Sequence, residues 1–210
     1  MLIKVCGMRQ MANIGELCKL KPDYIGFIFY PKSPRYVGEI LTPESTRLIP
    51  SEIKKTGVFV NESLKIILSE AKKYSLDAIQ LHGVEGPDLC GQLKSEGYEI
   101  LKAINPESID VPQRLSAYET VCDFFLFDTP SVSHGGTGRK FNWDLLNQYA
   151  GNLPFFLSGG IGPDDAGEVL KLENKYLAGI DINSRFESAP ALKNIDAIKL
   201  FIDGFINLKQ

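Results

Sequence analysis

Two reactive side chains close apolar runs that lie far apart in this sequence. Cys6 ends Leu2-Ile3-Lys4-Val5-Cys6, and Asp128 ends Phe124-Phe125-Leu126-Phe127-Asp128. A thiol and a carboxyl group can serve as base and acid if their surroundings set the protonation of each. Cysteine is also among the most buried residue types and often only fills space, the reading that suits Cys18, Cys90 and Cys122. Cys6 differs because Gly7 follows it directly and leaves the strand terminus open to a ligand. By period-two alternation Phe124, Leu126 and Asp128 share one face. An apolar wall there would raise the carboxyl pKa, which favours a general acid.

A second group of residues suits an anion. Phe156-Leu157-Ser158-Gly159-Gly160-Ile161 runs from a strand into paired glycines ahead of Pro163. Gly159 and Gly160 let backbone amides approach a phosphate closely, and a helix start adds positive dipole, although an ordinary tight turn has the same composition. Asp181-Ile182-Asn183-Ser184 adds further amides and a hydroxyl. The loop Tyr30–Leu41 holds Lys32, Ser33, Pro34, Arg35 and Tyr36, so it is either a solvated basic loop or a rigid presenter of Arg35 to a carboxylate. His82 can hydrogen-bond a substrate or satisfy a neighbouring backbone group. The stretch Ser131–Lys140, with His134-Gly135-Gly136-Thr137-Gly138, has the composition of a mobile lid.

These residues need elements that bring them to one place. Eight strands are expected: Leu2–Cys6, Tyr24–Phe29, Thr56–Val60, Asp77–Leu81, Glu99–Ala103, Asp123–Asp128, Pro154–Ser158 and Leu177–Ile182. Helical patterns fall between or after them over Ser63–Tyr74, Asp144–Tyr149, Pro163–Leu172 and Asn194–Asn207, with Pro163 and Asp164 in a first helical turn. Pro106 and Pro112 interrupt the fifth. That alternation gives an α/β chain, a (β/α)8 TIM barrel of one domain over residues 1–210. A doubly wound sheet competes, but it usually places its phosphate turn after the first strand, whereas the glycine turns here come late, after strands seven and eight.

Composition narrows the function. Hydrophobic residues make up 44% of the 210 and charged residues 23%, with a net charge of −3. No broad positive field would attract nucleic acid or an anionic membrane, so any phosphate must be held locally. Four cysteines without a CxxC pair argue against a disulfide framework or a metal site and point to a reducing compartment. The first residues enter a strand at once and no run is long enough to span a bilayer, so a cytoplasmic protein is expected. An apolar helical face leaves a monomer or a homodimer open.

Taken together the segments resemble the phosphoribosylanthranilate isomerase family of tryptophan synthesis along the whole chain. The matching pieces are Lys4-Val5-Cys6-Gly7-Met8, Gly26-Phe27-Ile28-Phe29-Tyr30 with Ser33-Pro34-Arg35-Tyr36, Gly57-Val58-Phe59-Val60-Asn61 and Gln80-Leu81-His82-Gly83. Phe127-Asp128, Gly135-Gly136-Thr137-Gly138 with Phe141-Asn142-Trp143, Leu157-Ser158-Gly159-Gly160, Asp181-Ile182-Asn183-Ser184 with Glu187, and Lys199 before Phe201-Ile202 follow in order. The resemblance implies a cofactor-free and metal-free Amadori rearrangement. It converts N-(5-phosphoribosyl)anthranilate to 1-(2-carboxyphenylamino)-1-deoxyribulose 5-phosphate. It also implies Asp128 as acid, Cys6 as base, and Arg35 and His82 on the substrate, Arg35 at the anthranilate carboxylate. Gly159, Gly160, Asp181, Asn183 and Ser184 would surround the phosphate, mainly through backbone amides.

A free thiol has a pKa of about 8.5 and a free aspartate about 3.9, so this pair needs the reverse order of protonation at neutral pH. Two positions depart from the family pattern. Arg185 stands where glycine is common, and Asn142 stands where aspartate is common and suits a helix cap. Two other functions fit the same barrel. One is a different sugar-phosphate isomerase, although related histidine-pathway enzymes use two aspartates where this chain has Cys6 and Asp128. The other is a phosphate-binding module without catalysis.

Overall fold

The computed structural model describes residues 1–106, 115–129 and 140–208, with side chains to residue 205. Eight parallel strands close on themselves in sequence order: β1 Leu2–Val5, β2 Tyr24–Ile28, β3 Lys54–Phe59, β4 Ala78–Leu81, β5 Glu99–Ile104, β6 Phe124–Phe127, β7 Phe155–Leu157 and β8 Leu177–Ile182. Helices α1 Met11–Cys18, α2 Pro43–Arg47, α3 Leu64–Lys73, α4 Pro87–Ser95, α5 Ala166–Val169 and α6 Ile195–Leu208 follow strands on the outside. The segment after β6 carries a 3-10 helix, Trp143–Gln148, and the excursion after β8 carries another, Ser184–Phe186, then the hairpin β9 Glu187–Ala189 and β10 Leu192–Lys193. The expected TIM barrel is the observed one, with strand bounds shifted by one or two residues. The interrupted fifth helix and the glycine stretch after Asp128 lie mostly outside the described residues.

Alternation along the strands divides the apolar side chains between two spaces. Val5, Phe27, Ile79, Phe125 and Ile180 face outward and pack with Leu17, Ile67, Leu93, Val169 and Ile198 from the helices. Tyr24, Ala78, Leu101, Leu126 and Phe156 point inward and fill the barrel. Inside, the Phe156 ring meets Tyr24 and Phe124 edge-on at 5.5 and 5.1 Å. The inward set includes Leu126, so the same alternation brings Asp128 to the interior side above it.

Helix starts follow their local chemistry. Thr42 caps α2 by accepting the Ser45 amide at 3.3 Å, and proline opens both α2 and α4. Asn142 caps the first 3-10 helix, its Oδ1 accepting the Asp144 amide at 3.1 Å. One expectation needs correction. The pattern over Pro163–Leu172 yields only a four-residue helix, Ala166–Val169. Asp165 Oδ2 accepts the Gly162 amide at 2.6 Å, which closes a turn around Pro163 and Asp164 instead of a first helical turn.

Two sets of ion-bearing groups tie the strands together. At the amino-terminal face Asp23, Asp77 and Asp123 each precede an even-numbered strand. Their carboxylates accept the amides of Ile3, Lys55 and Ile100 on the preceding odd strand at 2.7, 2.8 and 2.8 Å. At the other face Glu85 is buried with Lys102, Oε2 to Nζ 2.8 Å, and its carboxylate also accepts the amides of Asn61 at 2.7 Å and Gly83 at 2.9 Å. Lys102 donates on to the carbonyls of Leu81 and Gly83 at 3.2 and 2.7 Å. This network fixes the loops on either side of His82.

Breaking a buried pair by removing one partner typically costs about 3–5 kcal/mol. Glu85→Ala is therefore expected to lower the urea unfolding free energy by roughly 3 kcal/mol or more, whereas loss of the exposed Glu16–Lys19 pair should change it by less than about 1 kcal/mol. Burial opposes the Glu85 charge, but Lys102 and the two amides hold its carboxyl below the ordinary 4.5. Its contribution is complete above 4.5 and disappears as pH falls through the lower folded value. Urea midpoints measured down through that range should fall less steeply in Glu85→Gln than in the wild type.

Candidate active site

At the carboxyl ends of the strands a cleft opens with about 600 Å³ of empty space, its solvent mouth included. Cys6, Arg35, His82, Asp128, Gly159, Gly160, Asp181, Asn183 and Ser184 all line it, so the barrel brings these nine residues together, while the His134–Gly138 stretch lies outside the described residues. Ile28, Gln80, Ser158 and Ile161 complete the lining.

Cys6 sits just past β1, its amide donating to Ile182 O at 2.9 Å. The thiol rests against β2, where a Cβ on Gly26 would come 2.7 Å from Sγ. Burial pushes the Cys6 thiol above its ordinary 9.0, while the Lys4 and Lys193 ammonium groups pull it back. Lys4 lies two residues earlier on the same face of β1 and has no exposed surface. Its Nζ reaches Asp181 Oδ1 at 2.9 Å. Burial opposes the Lys4 charge, but Asp181 and Cys6 outweigh it and hold the amine above its ordinary 10.5.

The Asp181 side chain has a partner of its own, apart from the backbone amide expected near a phosphate. It lines the cleft, but its carboxylate faces the barrel interior, bound to Lys4 and 3.5 Å from Ser158 Oγ. A carboxylate fixed there would repel a phosphate rather than bind one. Gly159 and Gly160 have φ of 85° and 71°, a left-handed pair that only glycine adopts without strain. Ser184 opens the short 3-10 helix beside them.

Asp128 is oriented from two sides. Oδ1 accepts the Thr129 amide at 2.9 Å, and Oδ2 lies 3.2 Å from His82 Nε2. Gln80 Nε2 is 2.8 Å from His82 Nδ1. An amide N–H can only donate, so Nδ1 accepts, and the neutral ring then carries its hydrogen on Nε2 and donates it to Asp128. His82 thus meets Asp128 rather than a backbone group. Gln80 Oε1 is buried with no partner among the described residues.

Arg35 is buried, not solvated. Glu187 grips its guanidinium with two prongs, Nε to Oε1 at 2.9 Å and Nη2 to Oε2 at 2.8 Å. Lys193 Nζ also binds Glu187 and donates to Asn183 Oδ1 at 2.7 Å. Gly7, at φ 79°, makes room for this arrangement, since a Cβ there would lie 2.8 Å from both Arg35 Cδ and Asn183 Oδ1. The Arg185 guanidinium lies against Gly162, where a Cβ would come 2.7 Å from Nε.

Lys4, Gln80 and Lys193 were not singled out from the sequence, and Glu187 carried no role. Lys4 had a usable signal: it shares the Cys6 face of a strand whose interior must be dry, so it needed a carboxylate partner. The four cysteines are free thiols. Among the described residues no group of three or more His, Cys, Asp or Glu is placed to hold a metal ion, and no helix is long and apolar enough to cross a membrane.

Residues 3–204 match the family model described as N-(5'-phosphoribosyl)anthranilate (PRA) isomerase. An N-(5'-phosphoribosyl)anthranilate isomerase from Phocaeicola vulgatus is 44% identical over 210 residues, covering 100% of this chain and 98% of its own. Among solved structures, phosphoribosyl anthranilate isomerase from Thermotoga maritima superposes with a TM-score of 0.83 at 31% identity, covering 98% of each chain. A phosphoribosyl anthranilate isomerase structure was also solved in complex with reduced 1-(o-carboxyphenylamino)-1-deoxyribulose 5-phosphate. It has a TM-score of 0.80 and 30% identity, again covering 98% of each chain.

The close approach of Cys6 to β2 sets a direct test of the site's packing. Gly26→Ala must displace the Cys6 sulfur or the strand, and overpacking of this kind costs about 1–3 kcal/mol. Urea denaturation should show that loss, and Cys6→Ser in the same background should recover none of the contact with the Cys6 Cβ, 3.2 Å from the added methyl.

Proposed function

The chain belongs to the N-(5'-phosphoribosyl)anthranilate isomerase family of tryptophan synthesis, and from that premise we propose that Cys6 is the base and Asp128 the acid of its Amadori rearrangement. The observation that carries this assignment is that a thiol and a carboxyl group from β1 and β6 line one cleft with the paired glycines of β7. A phosphoribosyl compound bearing a carboxylate fits that lining: Gly159, Gly160 and Ser184 amides for the phosphate, Arg35 for the anthranilate carboxylate.

In this reading Asp128, protonated, gives its proton to the ribose ring oxygen. The bond from that oxygen to C1 breaks, and the anilino nitrogen's electron pair forms a Schiff base. The Cys6 thiolate then takes the proton from C2, giving an enolamine that tautomerises to the C2 ketone. No electron acceptor or metal enters this balance. His82 and Thr129 aim the Asp128 carboxyl, and Lys4 and Lys193 favour the thiolate against the burial that opposes it. Asp181 holds Lys4 rather than the phosphate. One chain supplies both proposed groups, so a monomer suffices, and residues 1–210 form one catalytic barrel acting on a metabolite of the cytoplasm.

Loss of a general acid or base typically costs about 100-fold or more. Cys6→Ala and Asp128→Asn should each lower kcat by at least roughly that factor while circular dichroism stays native. Wild-type turnover in either folded variant would remove that residue from the mechanism. Purified wild-type protein should turn over N-(5-phosphoribosyl)anthranilate. Exclusive use of the histidine-pathway precursor would instead place the chain's activity in that pathway.

A further inference from the structure

Arg35 has one edge of its guanidinium already taken. Nε and Nη2 face Glu187 in a two-pronged pair, and the side chains are 8% and 5% exposed. Nη1 makes no hydrogen bond to another described residue. Arg35 nevertheless lines the cleft, so the free end of the fork is the part that can meet a ligand. We propose that Glu187 is a positioning residue for substrate recognition: it holds Arg35 by one edge so that Nη1 is aimed at the carboxylate on the substrate's aromatic ring. This rests on the Arg35 assignment above.

The charge balance fits such a role. A single arginine neutralised by a single glutamate would offer little to an anion. Here Glu187 is shared with Lys193, so two cations and one anion leave the cluster net positive. Burial opposes the Glu187 charge, but Arg35 and Lys193 together keep its carboxyl below the ordinary 4.5. Lys193 in turn links this pair to the neighbouring strand end. Lys193 donates to Asn183 Oδ1 at 2.7 Å, and Asn183 adjoins Ser184. Arg35 Cδ and Asn183 Oδ1 both pack over Gly7, next to Cys6. Glu187 therefore acts on the carboxylate end of the cleft, through Arg35.

A merely structural Glu187 would staple the β9–β10 hairpin to the barrel, and its loss would weaken every substrate alike. The two roles separate with a substrate that lacks the carboxylate, N-(5-phosphoribosyl)aniline, used as alternative substrate or competitive inhibitor. Glu187→Gln should raise KM for N-(5-phosphoribosyl)anthranilate roughly tenfold or more, the effect of misplacing one charge-assisted hydrogen bond, with kcat within about twofold. Affinity for the aniline analogue should stay unchanged. Equal loss for both compounds, or no loss for either, overturns the proposal. If Glu187→Gln does not fold, Glu187→Asp keeps the charge, shortens its reach and is judged by the same ratio. Arg35→Met is the control: if it discriminates the two compounds as well as wild type does, the Arg35 assignment fails rather than the role of Glu187 alone.

Discussion

A lysine with no exposed surface inside a barrel is a demanding feature, because an unpaired ammonium in so dry a place would cost several kcal/mol. Lys4 is tolerable only because Asp181 stands beside it on β8, and the β1–β8 ladder pairs these two residues directly. A slip of one residue along that seam would turn Lys4 and Cys6 outward and leave Asp181 alone inside. The pair thus specifies how the barrel closes. Closure in that register is also what carries Cys6 to the level of Asn183 and the Gly159–Gly160 turn. The buried pair is a register device first, and its proximity to the thiol is a consequence with chemical use.

That use concerns the protonation order the mechanism requires. Burial raises the Cys6 thiol pKa, and Lys4 and Lys193 oppose it. Each of these cations is tied to a carboxylate, Asp181 or Glu187, so neither is free to swing into the cleft and neutralise a substrate carboxylate by itself. Arg35 is tied in the same way. In a chain of net charge −3, fixing of this kind gives direction to each cation in and around the cleft.

Much of the scaffold was legible in the sequence because strand interiors and strand ends differ in composition. All eight strands appear where β-branched and aromatic runs placed them, and alternation alone put Asp128 on the interior face. The Pro163–Leu172 pattern misled because periodicity registers apolar spacing but not the Asp165 carboxylate that closes a turn first. The Asp181 side chain went unread for a related reason: its partner lies 177 residues away on β1. Arg35 was read as a carboxylate ligand without Glu187, since pairing across 152 residues leaves no local mark.

The two faces of the barrel treat their polar groups differently, and the difference locates function. At the amino-terminal face Asp23, Asp77 and Asp123 each accept an amide from the strand before them, so these three carboxylates are satisfied within the protein. The Glu85–Lys102 network does the same beneath the loops near His82, closing that corner with protein partners. In the cleft, Gln80 Oε1 is buried without a partner among the described residues, while Arg35 turns one edge of its guanidinium to Glu187. An unmet polar group in a dry site costs free energy until something binds it. Gln80 Oε1 can only accept, so the group that meets it is a donor on the ligand, such as a hydroxyl, and not an anionic oxygen.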